Sequence, residues 1–239
     1  EDRLSELAAQ VHFVDGETIA PEEWECLLRR LDPEVMLTCW STPLLPDGLP
    51  ESLRYVCHLA GSVKNLTTGA QIEKGLLVSN WGNSISRTVA EWALFHILAC
   101  LRQAGYWLVA MHQEAAWKSR AVETSSLFSR TVGIHGFGAV SKELIQLLKP
   151  FGVTISVCAP DIDEASAHRL HVRICPDLDT LFFSNDIIVE LAPLLPETVG
   201  IVQERHLRMI RPGGVFVNIG RGAVVDPEAL LKVASEGKI

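Results

Sequence analysis

At 239 residues the chain is long enough for one large domain or two modest ones, each able to bury a core. Hydrophobic residues at 48% and charged residues at 21% give the balance of a globular protein and exclude disordered and fibrous classes. The formal net charge of -8, with no clustered Lys and Arg, excludes a nucleic-acid partner and leaves any acidic ligand to be met by local cations.

Residues 1–10, EDRLSELAAQ, carry helical spacing in an acidic context unlike a basic signal region, and VHFVD at 11–15 reads as a short strand. PEEWECLLRRL predicts a helix over 21–31, with Pro21 in the first turn and Asp32-Pro33 as its stop. EVMLTCW and LRYVCHLAG are apolar runs of the kind found in strands covered on both faces. A short helix in TTGAQIEKG, closed by Gly75, leads to a strand in LLVSN. Residues 86–113 are apolar at helical spacing for some six turns, which predicts one long helix buried on most sides where two domains meet.

After a polar stretch at 116–130, strands and helices alternate again. Strands are expected in TVGIHG, VTISVCA, DIIVEL and GVFVNIG; helices in AVSKELIQLLKP, EASAHRL, LDTLFFS, QERHLRMI and PEALLKVASEG. This alternation predicts parallel sheets in an α/β fold of two domains, residues 1–86 and 87–239. Every apolar run is interrupted before the roughly 18 residues needed to cross a bilayer, so a cytoplasmic protein without a membrane partner is expected. The six cysteines form no C-x-x-C pair and are expected mostly as buried thiols, with no metal site.

Gly136-Phe137-Gly138 stands between a predicted strand and a predicted helix, with Ser141 at the third position of a G-x-G-x-x-G pattern. The first glycine suits the tight turn and the second lets backbone N–H groups approach a pyrophosphate at the helix N-terminus. About 20 residues on, a dinucleotide site calls for a carboxylate on the adenosine ribose. Ala159 occupies that place, followed by Pro160 and Asp161, with Asp163 beyond; no Arg or Lys replaces the acid to receive a 2'-phosphate. The glycine loop makes NAD the expected cofactor, but the missing acid weakens any tight preference and leaves NADP open. His135, just before the glycines, reads as a satisfied core or near-site histidine.

NIGRGAVVDPEALLKVASEGKI, together with GIHGFG, APLLPET and TVAEWAL, resembles the D-isomer-specific 2-hydroxyacid dehydrogenases, in that family's order and approximate spacing. HLAGSVKNL is similar to the family's glycine turn. The resemblance implies a flavodoxin-like substrate domain and a Rossmann nucleotide-binding domain, a small 2-keto or 2-hydroxy acid as substrate, and a homodimer. It implies that Arg221 is the catalytic arginine, whose planar fork suits carboxylate and carbonyl oxygens together. Gly61 and Ser62 would offer N–H groups to the substrate carboxylate, with Lys64, Asn80 and residues 81–84 nearby.

Cofactor contacts are implied for Gly136, Phe137, Gly138, Ala139 and Val140, for Ala159, Pro160 and Asp161, and for Ala192, Pro193, Thr198, Ile219 and Gly220. Asp226 is expected to cap the last helix. In this family the acid/base is a histidine oriented by a glutamate, downstream of Arg221, and none of the eight histidines lies there; the resemblance therefore implies a chain clipped at both ends. The alternative is a non-catalytic, NAD(H)-responsive binding protein of the same fold, like a corepressor.

Overall fold

The computed structural model describes all residues except 1–5, 7, 9 and 118–121. It divides into two compact units, Glu1–Ser84 and Ile85–Ile239.

In the first unit, helix α1 (Pro21–Leu31) buries Trp24 and Leu28 and stops at Asp32, whose φ of 41° carries its N–H back to the Leu28 carbonyl. Strands β1 (Val35–Thr38), β2 (Tyr55–His58) and β3 (Leu77–Ser79) form a parallel sheet in that order, with helix α2 (Gly69–Glu73), started by a Thr68 capping box, leading into β3. Only one face of β1 is covered: Met36 joins Trp24, Leu28, Leu45 and Val56 in the core, whereas Val35 and Leu37 are exposed. The helix expected at 1–10 lies largely outside the described residues. The strand expected at 11–15 does not form; those residues are irregular, with Phe13 and Val14 exposed, and among the described residues no strand pairs with them.

In the second unit the single long helix is two, α3 (Ser86–Leu101) and α4 (Ala104–Glu114), bent by 60°. The cause is Gln103, held in the left-handed region at φ 52°. Nor is the pair buried on most sides. Ser86, Ala90, Ala93, Ile97 and Leu101 form one buried stripe, while Trp92, Phe95, Tyr106, Leu108 and Met111 are exposed. Among the described residues no single helix is long and apolar enough to cross a membrane.

Strands β4 (Thr131–His135), β5 (Thr154–Cys158), β6 (Arg173–Ile174), β7 (Ile187–Glu190) and β8 (Val215–Asn218) form a parallel sheet ordered β6-β5-β4-β7-β8. Helices α3 and α5 (Ala139–Leu148) cover one face, where Val132, Ile134, Ile187 and Val189 meet Ile97 and Leu144. Helices α7 (Leu178–Ser184), α8 (Glu204–Met209) and α9 (Pro227–Ser235) cover the other, with Phe182, Ile188 and Leu207 at the centre. The remaining helix, α6 (Glu164–Leu170), connects β5 to β6. All four residues of β7 are buried, as a strand packed on both sides requires. Asp186 ties the base of this sheet together, its carboxylate accepting from the Thr131 N–H (3.0 Å) and hydroxyl (2.9 Å).

The cysteines depart from expectation. Cys175 alone is buried; Cys26, Cys39 and Cys100 are exposed, Cys57 and Cys158 half-buried, and all six are free thiols. Cys26 and Cys100 sit on the outward sides of α1 and α3, where an apolar run in the sequence does not translate into burial.

Candidate functional site

In the five-stranded sheet the chain runs outward in one direction from β4 and in the other through β7, so the crevice above their carboxyl ends is the place where such sheets bind ligands. Gly136 leaves β4 with φ 96°, and a Cβ there would stand 2.8 Å from the Ala192 nitrogen, so only glycine fits. Gly138, the residue that starts α5, faces open space: a Cβ would meet nothing within 4 Å. The loop is thus closed on its inner side and open where the N-terminus of α5 points. Ser141 takes the third glycine's place without obstruction, fully buried, and its hydroxyl donates to the Gly136 carbonyl at 2.9 Å. Phe137 is buried beneath the Lys142 ammonium, 4.7 Å from its ring centre. Ala139 and Val140 begin α5, both half-buried.

A buried hydrogen-bonded pair underlies the loop. His135 Nδ1 lies 2.6 Å from Glu190 Oε2, and the other carboxylate oxygen accepts the Ala192 N–H at 2.8 Å. Glu190 is 0% exposed, so these contacts replace its water shell. Its backbone carbonyl also accepts from Gly220 at 3.2 Å. One residue thereby ties the exits of β4, β7 and β8. Sequence reading found His135 but not its partner, because Glu190 stands 55 positions away in an otherwise apolar strand.

At the exit of β8, Asn218 accepts the Gly220 N–H and donates to the Arg221 carbonyl, 3.0 and 3.2 Å, bending the chain so that Arg221 is presented at the edge. The exposed guanidinium rests on the Gly220 carbonyl at 3.0 Å, and among the described residues no carboxylate pairs with it. Ile219 is half-buried and Pro193 exposed. The Thr198 hydroxyl is taken up within its own loop, accepting from Leu195 N (2.8 Å) and donating to Pro193 O (2.7 Å).

At the exit of β5, Ala159 is half-buried and Pro160 and Asp161 are exposed. Asp163 is used structurally: it caps α6 by accepting from the Ser166 N–H at 2.6 Å, and the Ser166 hydrogen bonds hold its carboxyl below the usual range. Burial pushes the Cys158 thiol up to about 11, which keeps it neutral beside this corner. Asp226 caps α9, accepting from Glu228 N and Ala229 N at 3.0 and 3.2 Å.

In the first unit, Gly61 and Ser62 follow β2 at the carboxyl edge of its sheet, and among the described residues their N–H groups donate to nothing in the protein. Asn80 follows β3 and binds the Gly61 carbonyl. A cavity of about 530 Å³ lined by Leu53, Arg54, Lys74 and Leu77 opens at the opposite, amino-terminal end of these strands, away from every residue just described.

The sequence model of the D-isomer specific 2-hydroxyacid dehydrogenase NAD binding domain matches residues 94–239. The chain belongs to the D-isomer-specific 2-hydroxyacid dehydrogenase family. Among curated relatives it is 27% identical to a D-3-phosphoglycerate dehydrogenase of Methanocaldococcus jannaschii, over 90% of this chain and 41% of that one. It is 29% identical to a hydroxypyruvate reductase of Thermotoga maritima, over 79% of this chain and 60% of that one. The chain thus spans roughly two fifths to three fifths of the relatives' lengths. A Granulicella formate dehydrogenase superposes with a TM-score of 0.87 at 21% identity, covering 100% of this chain and 65% of the other, a likeness of fold. NAD is the cofactor of this dehydrogenase domain, and the open face of Gly138 at the start of α5 fits its pyrophosphate. The ribose end departs from the usual pattern, Ala159 offering no acid.

Proposed function

We propose that the protein interconverts a 2-keto acid and a D-2-hydroxy acid. NAD supplies the chemistry of accepting or donating the hydride. The glycine turn from Gly136 to Val140 holds the pyrophosphate through backbone N–H groups, with Ala192, Pro193, Thr198, Ile219 and Gly220 shaping the nicotinamide end. Arg221 grips the substrate carboxylate and carbonyl oxygen, orienting the carbon that exchanges hydride and stabilising charge that develops on oxygen. The free N–H groups of Gly61 and Ser62 receive the carboxylate.

The observation that carries this reading is an exposed arginine at the carboxyl edge, three residues past the end of β8 and next to Gly220, which is tied to Glu190 at the exit of β7, with no carboxylate paired to it among the described residues. A panel of 2-keto acids assayed with NADH and NADPH on the full-length protein, which would bring the acid/base histidine that the family resemblance implies, tests it. At least one keto acid is reduced, and Arg221→Gln lowers kcat/KM about a hundredfold or more, the value of two charge-assisted hydrogen bonds, without changing Tm. An unchanged kcat/KM would remove Arg221 from the site. With no acid at Ala159 to repel a 2'-phosphate, NADH and NADPH differ less than about tenfold in kcat/KM. The protein assembles as a homodimer through the exposed apolar face of α3 and α4, so Trp92→Glu shifts it to monomer in sedimentation.

A further inference from the structure

The edge of the three-stranded sheet carries two tryptophans that packing does not require. Trp40 follows β1 and is 64% exposed; Trp81 follows β3 and is 39% exposed. Trp40 is held in place. It occupies the turn closed by Thr42 N donating to Cys39 O (3.2 Å) and Cys39 N to the Thr42 hydroxyl (3.0 Å). Its ring meets the His58 imidazole edge-on at 5.9 Å, and Cη2 lies 3.6 Å from where a Gly61 Cβ would be. His58 is itself fixed by a 2.9 Å hydrogen bond between Nδ1 and the Thr38 hydroxyl. The indole is therefore a preset wall against the Gly61–Ser62 turn. The backbone N–H of Trp81 donates to the Ala60 carbonyl at 3.1 Å, and the exposed Leu59 stands between the two strand exits in sequence.

Charge sharpens the picture. In a chain of net charge -8, the segments forming this edge, residues 39–42, 58–64 and 79–84, contain no Asp or Glu and one cation, Lys64. Burial holds His58 below its ordinary pKa and hence neutral. Such an edge accepts one carboxylate and an uncharged flat group; a substrate phosphate would call for more positive charge than one lysine.

We propose that Trp40 determines substrate specificity and that the preferred substrates are 2-keto and 2-hydroxy acids with an aryl or bulky apolar side chain, which stacks on the indole while the carboxylate takes the Gly61 and Ser62 N–H groups. This rests on the dehydrogenase reading above. Calorimetric titration of the NADH-loaded protein with D-phenyllactate and with glycolate tests it without requiring turnover. D-phenyllactate binds at least about tenfold tighter than glycolate, the worth of burying one aromatic group. Trp40→Ala removes most of that difference while leaving glycolate affinity within about twofold, and Trp40→Phe retains it. Equal binding of the two acids to the wild-type protein, or equal weakening of both by Trp40→Ala, overturns the specificity role and leaves the dehydrogenase reading intact. Failure of both acids to bind, with NADH bound, overturns the two together.

Discussion

The exits of β4 and β2 are both glycine turns at the carboxyl edge of a parallel sheet, and their surroundings ask for different things. At Gly136 the backbone is left-handed and Ala192 stands where a Cβ would go; behind it lies the buried His135–Glu190 hydrogen bond. At Gly61 the nearest atoms to a Cβ are those of the Trp40 ring, at 3.6 and 3.8 Å, an ordinary contact. The first turn belongs to a sheet packed on both faces, so its shape is over-determined by three strand exits. The second belongs to a sheet covered on one face, and its shape is held by a few local hydrogen bonds and one indole. The rigid turn suits a ligand common to a whole family, and the lighter one suits a ligand that differs among relatives.

The largest expected effect comes from Glu190. Glu190→Ala leaves His135 and the Ala192 N–H buried without partners and costs about 3–5 kcal/mol, read from urea unfolding. A loss below about 1 kcal/mol would mean that the pair does not hold the crevice together. Gly136→Ala ranks next, at about 2–4 kcal/mol from positive φ and the clash with Ala192, with NADH affinity falling in parallel.

Acid separates the two sheets. Burial depresses His58 in the first unit, and burial followed by Arg205 depresses His206 in the second. A folded pKa below the unfolded one stabilises above about pH 6.5, and that contribution fades as pH falls through the folded value. Both units therefore weaken below neutrality. The second unit has a further loss. At Asp186 burial acts to raise the pKa, but hydrogen bonds from Thr131 and the nearby Arg130 and Arg211 outweigh it and hold the carboxyl low. That stabilisation is full above about pH 4 and disappears as pH drops through the lower folded value. Asp186→Asn costs about 1–2 kcal/mol at pH 7 and flattens the unfolding profile below pH 4; hydrogen exchange at β4 against β2 reads the units separately.

The smallest effect is at the lighter turn. Gly61→Ala changes stability by less than about 0.5 kcal/mol. A large loss there would erase the contrast between the two exits.

Much of the second unit was legible because its strands, buried on both faces, read as unbroken apolar runs between helix caps such as Asp163 and Asp226. The glycine turn and the arginine were legible because they are local patterns. What escaped is what depends on distant partners. The 11–15 run has strand composition but, among the described residues, no strand to pair with. The apolar stretch at 86–113 gives no warning that Gln103 turns left-handed. Glu190 reads as a polar interruption of a strand until His135 is placed beside it. Trp40 passed unremarked because its neighbours His58 and Gly61 come from another strand exit.

The most direct test of the account is a fluorescence titration of the protein with NADH, wild type beside Gly138→Val, a change placed on the open face of the loop where the protein itself has no atoms within 4 Å of a Cβ. The account predicts that the wild type binds, and that the variant keeps its unfolding midpoint while losing at least about tenfold in affinity, because the added side chain stands where the pyrophosphate must approach. Equal NADH affinity in the two proteins, or no binding to the folded wild type, would contradict it.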